Sequence, residues 1–398
     1  MNPKPRLLSL DVIRGLSVLG ILLVNATSFA QPFEVYFNPS LSPRPLQPND
    51  LWVWWMTETF FKEKFYTLFA LLFGVSLYLV GQDHDPKAPL WRSVLWRRLA
   101  VLVVIGLIHG ALIWNGDILL MYGLCGFLFW FRRHASAENL LGLGCVFFVI
   151  SSALILYNEF SFFGAVNPFA KLDLSREIFG FRGTLGGSIS TNFNIWSHQF
   201  IGSFLSFAPK TLGLMMIGLG LFKHGFLKGS APTNTYLVFI LLGLISLFVL
   251  AIQNEQLIEH NFPYPDTYTS AQIANEFLSL LVSLAYASAL ILLIKTAWGQ
   301  TLLWPLTRVG RMAFSNYLMQ SLIMTSLFYG GRWPHELWLS PSGPPLFGQL
   351  NAFGTLPIIM ALWLFQIIFS CIWLENFRYG PFEFLWRSLS LGKWVRLK

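Results

Sequence analysis

One histidine and one aspartate stand close together at a sharp turn between two apolar segments. His109 lies near the end of the first segment, and Asp117 opens the next one after the turn Trp114-Asn115-Gly116. An imidazole exchanges protons near neutral pH, and a titratable group inside an apolar segment is costly and commonly functional. Each residue also has a structural alternative. Asp117 would cap a helix N-terminus, and His109 would bond a backbone carbonyl.

The first apolar segment carries three polar side chains, Asp11, Arg14 and Asn25. Asp11 and Arg14 are three residues apart, so they can neutralise each other on one helix. At about 100° per residue, Arg14 and Asn25 fall on one helical face, roughly 16 Å apart. Asn25 is then placed to hydrogen-bond either a neighbouring helix or a ligand.

Two lysines lie in or next to apolar segments. Lys64 opens the second apolar segment, and it either snorkels to the surface or faces His109 across the bundle. Lys210 follows Pro209 near the centre of the sixth segment. An intramembrane lysine beside a kink is a candidate functional group, with pairing to a carboxylate as the alternative.

The ninth and tenth segments carry amide and hydroxyl side chains at helical spacing. Asn316 and Gln320 are four residues apart, as are Gln366 and Ser370. Hydrogen bonds between helices explain such pairs, and the spacing around Tyr317 predicts no chemistry of its own. Ligand binding is the alternative. The candidate binding residues are therefore Asp11, Arg14, Lys64, Lys210, Asn316, Tyr317 and Gln320.

These polar residues belong to an otherwise apolar chain of 398 residues. It is 55% hydrophobic and 12% charged, whereas soluble globular proteins carry about 25% charged residues. A soluble fold could not cover so much apolar surface, which excludes a soluble enzyme, a disordered chain and a nucleic-acid binder. The composition predicts an all-α, polytopic helical membrane bundle whose main partner is the lipid bilayer.

Apolar runs of about 20 residues cross a bilayer core of roughly 30 Å. We predict about ten such segments in a single transmembrane domain: Leu10–Ala30, Phe65–Val80, Leu99–Trp114, Ile118–Phe131, Leu140–Tyr157, Phe200–Phe222, Tyr236–Ile252, Ile273–Ile294, Met312–Gly330 and Thr355–Leu374. Most of the 27 Lys and Arg residues fall in loops on one side, which predicts that both termini are cytoplasmic. The interval 158–199 is the longest loop, on the outer side, and we expect an interfacial helix or a lid there.

Common signatures of metal binding and nucleotide binding are missing from the sequence. The three cysteines lie in apolar runs without His or Cys at ligand spacing, so we expect neither a metal site nor a disulfide framework. The sequence also lacks a P-loop, a G-x-G-x-x-G turn and an H-E-x-x-H helix. We expect no tightly bound cofactor.

Several motifs together resemble the YeiB-like family of bacterial integral membrane proteins. They are Arg6–Gly15 with the later Val24-Asn25 pair, Lys64–Gly74, His109-Gly110 with Gly116–Leu119, Gly310–Ser321 and Gly380–Arg387. The resemblance covers almost the whole chain and implies a location in the bacterial cytoplasmic membrane. It divides the chain into an acyltransferase-like part (about 1–157), the outer loop (158–199) and a C-terminal part characteristic of the family (about 200–398).

The first-segment motif is similar to that of transmembrane acyltransferases of the heparan-α-glucosaminide N-acetyltransferase type. This similarity implies transfer of an acyl group from cytosolic acyl-CoA, as co-substrate, to a hydroxyl or amine of a sugar, glycan or lipid-linked acceptor across the membrane. Asn25 stands eleven residues after Arg14, as in the glucosaminide enzyme, but no histidine follows it before the second segment. His109 would replace that base from another helix, with Asn25 donating to the oxyanion and Asp117 orienting the imidazole. The implied catalytic residues are thus His109, Asn25 and Asp117.

Two other functions stay open at this point. A transporter or exporter of a small molecule or lipid would use Lys210 and the Pro209 kink along a substrate path, although the sequence shows no paired broken helices. A non-catalytic membrane scaffold would have a solid interior near Asn25 and His109. The sequence predicts no nucleic-acid partner, and it leaves homo-oligomerisation open.

Overall fold

The computed structural model describes residues 7–81, 89, 93–163, 174–262, 266–332 and 345–398. In these ranges the chain forms helices joined by turns, which confirms the all-α prediction. The helices are α1 (Leu8–Ala30), α2 (Pro48–Phe60), α3 (Lys64–Gly81), α4 (Val94–Ile108), α5 (Leu119–Trp130), α6 (Ala137–Phe163), α7 (Ser175–Arg182), α8 (Leu185–Lys223), α9 (Thr233–Glu259), α10 (Asp266–Ile294), α11 (Ala297–Arg311), α12 (Ala313–Phe328), α13 (Ala352–Asn376) and α14 (Pro381–Leu391).

Within the described ranges, 8 helical segments are long and apolar enough to cross a membrane. They make the protein a multi-pass helical membrane protein. Each of the ten predicted segments coincides with a helix, but α5 has 12 residues and α12 has 16. At 1.5 Å per residue these two helices are about 18 and 24 Å long, less than the roughly 30 Å of a bilayer core. The number of crossings and the side of the termini therefore stay predictions.

Helices occupy two intervals for which the sequence predicted loops. α6 continues to Phe163 and α8 begins at Leu185, so much of the predicted outer loop 158–199 is helical, and α7 lies within it. Residues 164–173 of that loop lie outside the described ranges. Polar residues interrupt the apolar run here because they face protein: Ser188 is buried and donates a hydrogen bond to the carbonyl of Gly330 at 3.1 Å. The interval before Met312 is also helical, as α11, whose apolar residues lie on one face only.

Glycines allow the central helices to approach closely. A Cβ atom on Gly74 of α3 would lie 2.1 Å from the carbonyl oxygen of Met215 in α8, and one on Gly218 would lie 2.1 Å from that of Leu71. Both separations are shorter than atoms tolerate, so α3 and α8 cross where only glycine fits. Small residues at such crossings let helix backbones approach closely.

Segments that carry the basic loops meet at one end of the bundle, which we call the basic end. Hydrogen bonds tie them together: Ser9 Oγ to the carbonyl of Leu227 at 2.8 Å, Lys223 Nζ to the carbonyl of Ala135 at 2.5 Å, and Trp386 Nε1 to that of Arg98 at 2.9 Å. The predicted one-sided distribution of positive charge thus corresponds to one end of the fold. Assignment of this end to the cytoplasm stays a prediction.

Candidate active site

The end of α4 widens into a π-helical turn, His109–Ile113, before the chain enters α5. Such turns are rare and are frequent at functional sites, because the wider turn leaves backbone groups free. Here Asn192 of α8 supplies the missing partner, since its Nδ2 donates to the carbonyls of Gly110 at 2.8 Å and Ala111 at 3.1 Å. Gly110 has no Cβ, and Trp196 of α8 packs into the space that a Cβ would fill. The π turn is therefore fixed against α8.

This turn brings His109 and Asp117 into direct contact. Nδ1 of His109 lies 2.8 Å from Oδ1 of Asp117, and the two side chains are 1% and 0% exposed. The second oxygen of Asp117, Oδ2, accepts a hydrogen bond from the backbone N–H of Leu120 at 2.8 Å. Asp117 therefore does both things that the sequence allowed: it caps α5, and it binds the imidazole. We call these two residues the His109–Asp117 pair.

The pair determines the protonation of the imidazole. A carboxylate that accepts from Nδ1 keeps a proton there and leaves Nε2 as the proton acceptor, the arrangement used in catalytic triads. Nε2 of His109 is buried and has no hydrogen-bond partner among the described residues. The tautomer is assigned from these contacts. In this tautomer Nε2 is the ring nitrogen that can accept a hydrogen bond.

A cavity of about 300 Å³ lies next to the pair. It is within the size range of small-molecule sites. Because 11 of its 23 lining residues are aromatic, we call it the aromatic cavity. It is lined by Ile21, Val24, Asn25, Ser28, Phe33, Tyr36, Phe37, Phe61, Glu63, Phe65, Tyr66, Trp114, Asn115, Gly116, Asp117, Ile118, Leu120, Met121, Trp196, Gln199, Phe200, Phe204 and Phe207.

Asn25 and Asp117 both line the aromatic cavity, so the structure brings these two predicted residues together. His109 is not one of the lining residues and lies behind Asp117. The side chain of Asn25 makes no hydrogen bond with any described residue, which leaves its amide available to a ligand. Hydrogen bonding of Asn25 to a neighbouring helix, the alternative, is not observed in the described part of the chain.

Other polar atoms at the aromatic cavity also lack partners. Oδ1 of Asn115, Nε2 of Gln199 and Nε1 of Trp114 are buried without a hydrogen-bond partner in the described residues. Buried polar groups are normally satisfied, and unsatisfied ones require an explanation such as a ligand or water. Together these atoms offer two donors and one acceptor to an occupant of the cavity.

Lys210 belongs to an ion cluster beside the aromatic cavity. Its Nζ lies 2.7 Å from Oε2 of Glu63 and 2.5 Å from Oε2 of Glu276, and its side chain is 2% exposed. Glu63 lines the cavity, whereas Lys210 and Glu276 lie behind it. The pairing of Lys210 with a carboxylate, predicted as the structural alternative, is therefore confirmed, and it involves two carboxylates.

Glu63 reaches this position through an unusual backbone conformation. Its φ is +68°, in the left-handed region that non-glycine residues rarely adopt. Glu63 forms the junction between α2 and α3, and this turn directs its side chain to Lys210 while the flanking lysines take other directions. Such conformations cost about 1–3 kcal/mol and cluster at functional sites.

Lys64 is fully buried but does not line the aromatic cavity. Its Nζ donates to the carbonyl of Glu58 at 2.8 Å and to Oδ1 of Asn275 at 2.6 Å. These contacts join α2, α3 and α10 and account for the polar atoms of Lys64. Of the two expectations for Lys64, neither snorkelling to the surface nor facing His109 agrees with these contacts, because its donors are used on the α10 side.

The remaining predicted binding residues connect helices. Nε2 of Gln320 donates to the carbonyl of Val18 at 3.0 Å and to Oε1 of Gln366 at 2.9 Å. Nδ2 of Asn316 donates to Oγ of Ser370 at 3.1 Å. The interhelical alternative for these residues is confirmed, and they join α1, α12 and α13 away from the aromatic cavity.

Asp11 and Arg14 lie near the basic end, as the ion pair that the sequence predicts. Nη1 of Arg14 is 3.2 Å from Oδ1 of Asp11, and Nη2 donates to Oγ of Ser76 at 3.1 Å. Tyr317 is the one member of its predicted group that reaches the His109–Asp117 pair, with its ring 5.4 Å from the imidazole centroid. It packs against the pair and is not a cavity-lining residue.

Sequence reasoning missed the acidic partners of Lys210 and the amides of Asn115 and Gln199. Glu63 stands between two lysines, and that charge run favoured Lys64 as the functional residue. The free side chain of Asn115 lies in the same turn as Asp117, which is the available signal for it. Glu276 has no comparable signal, because only the packing of α10 against α8 and α3 brings it to Lys210.

The fold and the site define a multi-pass helical membrane protein with an aromatic cavity beside a buried His–Asp pair. A family model described as "Protein of unknown function (DUF418)" matches residues 221–393. The chain is 32% identical to the uncharacterised protein YeiB of Escherichia coli over 401 residues, which cover 97% of this chain and 96% of YeiB. The protein belongs to this YeiB-like DUF418 family, as the sequence motifs predict.

Two Bacillus proteins extend the comparison. YxaH of Bacillus subtilis, also uncharacterised, is 28% identical over 407 residues, covering 97% of this chain and 94% of YxaH. An uncharacterised 39.9 kDa protein encoded in the amylase 3′ region of Bacillus acidopullulyticus is 24% identical over 400 residues, covering 98% and 94% of the two chains. The similarity to each of these relatives therefore extends over nearly the whole chain.

Proposed function

We propose that the protein transfers an acyl group from acyl-CoA to a hydroxyl or amine inside the aromatic cavity. The observation that carries this proposal is the free amide of Asn25 beside the His109–Asp117 pair, at a cavity with further unsatisfied polar atoms. A ligand that both donates and accepts hydrogen bonds would satisfy those atoms, which are costly to bury alone. The aromatic side chains suit an apolar acyl chain.

The proposed reaction needs no further co-reactant. The acceptor oxygen or nitrogen attacks the carbonyl carbon of the thioester, and a C–O or C–N bond forms. The C–S bond breaks, and the sulfur leaves as the thiol of CoA. The His109–Asp117 pair takes the proton of the acceptor and returns it to the sulfur. The amide N–H of Asn25 donates to the carbonyl oxygen as negative charge develops there.

The position of the His109–Asp117 pair determines how it would receive the acceptor's proton. Asp117 is the member that lines the aromatic cavity, and Nε2 of His109 is the atom without a partner. Nδ1 of His109 and Oδ1 of Asp117 are in direct contact, so a proton taken up by one residue can be shared with the other. Replacing either residue would remove this capacity, and the two single variants should have similar defects.

Radiolabelled acyl-CoA tests the proposal. Purified full-length protein in detergent, given acetyl-CoA or a long-chain acyl-CoA and a bacterial extract of lipids and glycans, should label an acceptor. His109→Gln should reduce labelling by about 100-fold or more. His260→Gln, which alters an exposed histidine at the end of α9, should label as wild type does. Normal labelling by His109→Gln would exclude the pair from the reaction, and no labelling by wild type would refute acyl transfer.

A second candidate function, transport of a small molecule or lipid, draws support from the Lys210 cluster. Two carboxylates and one ammonium group lie buried beside the cavity, and intramembrane ionisable groups often mark proton pathways. A proton-coupled transporter would dissipate a pH gradient across proteoliposomes when a cell extract supplies its substrate, and Glu63→Gln would abolish this. An acyltransferase would leave the gradient intact.

The same proposal places the protein in the cytoplasmic membrane of a bacterium, with both termini inside. The gathering of basic segments at one end of the bundle supports this orientation. Reporter fusions at residue 398 and after residue 182 test it. A cytoplasmic reporter should be active at the first position and inactive at the second, and the reverse pattern would invert the topology.

A further inference from the structure

The basic end holds two arginines, Arg98 and Arg387, that form no salt bridge with the described residues. α14 packs against the first turns of α4, where Nε1 of Trp386 donates to the carbonyl of Arg98 at 2.9 Å. The guanidinium of Arg98 lies 5.5 Å from the centroid of the Trp386 ring, and that of Arg387 lies 4.4 Å from the Tyr379 ring. Arg387 directly follows Trp386 in the chain, so both arginines lie where α14 meets α4.

In the described part of the chain, acidic groups do not neutralise these arginines. Among the described residues, neither guanidinium forms a salt bridge, and Nε of Arg98 is buried without a hydrogen-bond partner. Glu383 is the carboxylate of α14, and its Oε1 accepts from the backbone N–H groups of Phe314 at 2.9 Å and Ser315 at 3.0 Å. It thereby caps α12 and is not available to Arg98 or Arg387.

Two like charges in a half-buried position are unfavourable unless an anion lies between them. Arginine offers planar pairs of N–H donors that match phosphate oxygens, and its guanidinium stacks well on aromatic rings. We propose that Arg98 and Arg387, supported by Trp386 and Tyr379, bind a phosphate group at the basic end of the protein. The phosphate would accept hydrogen bonds from both guanidinium groups and remove their mutual repulsion.

Two ligands carry such a phosphate. One is the nucleotide part of acyl-CoA, and this source rests on the proposed function. Arg98 and His109 stand eleven residues apart on the α4 side of the bundle, roughly 16 Å along the helix. A phosphate at Arg98 would therefore lie on the same helix as the His109–Asp117 pair, at the opposite end. The other source is the headgroup of an anionic phospholipid, which is attracted to basic residues at the membrane surface.

Binding measurements on the full-length protein in phosphatidylcholine nanodiscs test the site. CoA without an acyl group is the first probe, and phosphatidylglycerol, added to the nanodisc and detected by native mass spectrometry, is the second. Wild type should bind at least one of them, and Arg387→Gln and Arg98→Gln should each weaken that binding by about tenfold or more. Arg396→Gln removes an exposed charge from the same C-terminal segment and should change binding less than twofold.

The pattern of losses distinguishes the sources. If Arg98→Gln and Arg387→Gln lose CoA binding but retain phosphatidylglycerol, the site belongs to the nucleotide. If they lose phosphatidylglycerol but still bind CoA, the site belongs to the lipid. Arg387→Lys, which keeps the charge without the paired donors, should bind with intermediate affinity, and size-exclusion profiles identify any misfolded variant. Equal binding of both probes by wild type, Arg98→Gln and Arg387→Gln would overturn the proposal, as would the absence of binding to wild type.

Failure of this site and failure of acyl transfer are separable. Binding is measured without an acceptor, so it does not depend on the reaction. His260→Gln, at an exposed position outside the cavity, should bind CoA as wild type does. CoA binding that depends on Arg387 in a protein without transferase activity would support the phosphate site and refute the proposed function.

Discussion

Asp117 contacts His109 with one carboxylate oxygen and the N-terminus of α5 with the other. The two contacts have the same length, 2.8 Å, and involve different oxygens. The aspartate thus fixes the imidazole to the start of the next helix. Movement of α5 relative to α4 would change the His109–Asp117 pair directly, so the geometry of the pair depends on the packing of these two helices.

Substitutions at Asp117 should separate its two roles. Asn is as good a helix cap as Asp, so Asp117→Asn should change the free energy of unfolding by less than about 1 kcal/mol. It removes the negative charge that stabilises a protonated imidazole, and labelling from acyl-CoA should fall by about 10²–10⁴-fold. Thermal unfolding in detergent and the labelling assay measure the two effects.

Asp117→Ala is the matched comparison, because it removes the cap as well as the charge. It should lose activity to the same extent and also lose about 0.5–2 kcal/mol of stability. Equal stability of the Asn and Ala variants would show that the bond to Leu120 contributes nothing, and full activity of Asp117→Asn would show that the charge is not needed.

Lys210→Met should destabilise the bundle strongly. The substitution keeps a long apolar side chain but leaves Glu63 and Glu276 without their shared cation. Breaking a buried ion pair by removing one partner costs about 3–5 kcal/mol. Lys228→Met, at an exposed position just after the end of α8, should leave the stability almost unchanged. Adding Glu63→Gln and Glu276→Gln to Lys210→Met should recover part of the thermal stability, and no recovery would show that packing, not charge, explains the loss.

Glu177 should make stability depend on pH. Burial and the nearby carboxylate of Glu34 raise the pKa of Glu177 to about 8, while its Oε1 accepts from the backbone N–H of Phe33 at 3.2 Å. Above the ordinary pKa of about 4.5, Glu177 has lost its proton in the unfolded state. In the folded state it keeps that proton up to a pH of about 8. Stability therefore falls as pH rises from about 4.5 to 8, by at most about 1.4 kcal/mol per pH unit.

Glu177→Gln removes this dependence. Its melting temperature should change less than that of wild type between pH 5 and pH 8, and at pH 8 the variant should be the more stable protein. Glu255→Gln, on α9 at an exposed position, serves as the control and should follow the wild-type curve. Parallel curves for wild type and Glu177→Gln would contradict the assignment.

Gly74→Ala should disturb the crossing of α3 and α8. The added Cβ would lie 2.1 Å from the carbonyl oxygen of Met215, and the two backbones must separate to accept it. Overpacking of this kind costs about 1–3 kcal/mol. Gly142→Ala in α6 is the matched control, because nothing lies within 4 Å of its added Cβ and alanine favours a helix by up to about 1 kcal/mol. The two variants should shift the melting temperature in opposite directions.

Hydropathy was sufficient to locate the membrane helices, because a run of about 20 apolar residues has few other solutions. Hydropathy did not predict α11, because only one face of that helix is apolar. It also did not predict the first half of α8, because polar residues there, such as Ser188, face protein. The His109–Asp117 pair could be anticipated because a short turn connects its members. The contact between Lys210 and Glu63 could not, since it joins residues 147 positions apart through the packing of α3 on α8.

The length of α8 has a consequence for the entrance of the cavity. The helix has 39 residues, about 58 Å at 1.5 Å per residue, whereas the hydrocarbon core of a bilayer is roughly 30 Å thick. The helix is therefore about 28 Å longer than the core, and its N-terminal half carries Trp196 and Gln199, which line the cavity. A helix of this length can extend beyond the lipid headgroups on that side, which would expose one edge of the aromatic cavity to water. Molecules too polar to dissolve in lipid could then enter the cavity from that side.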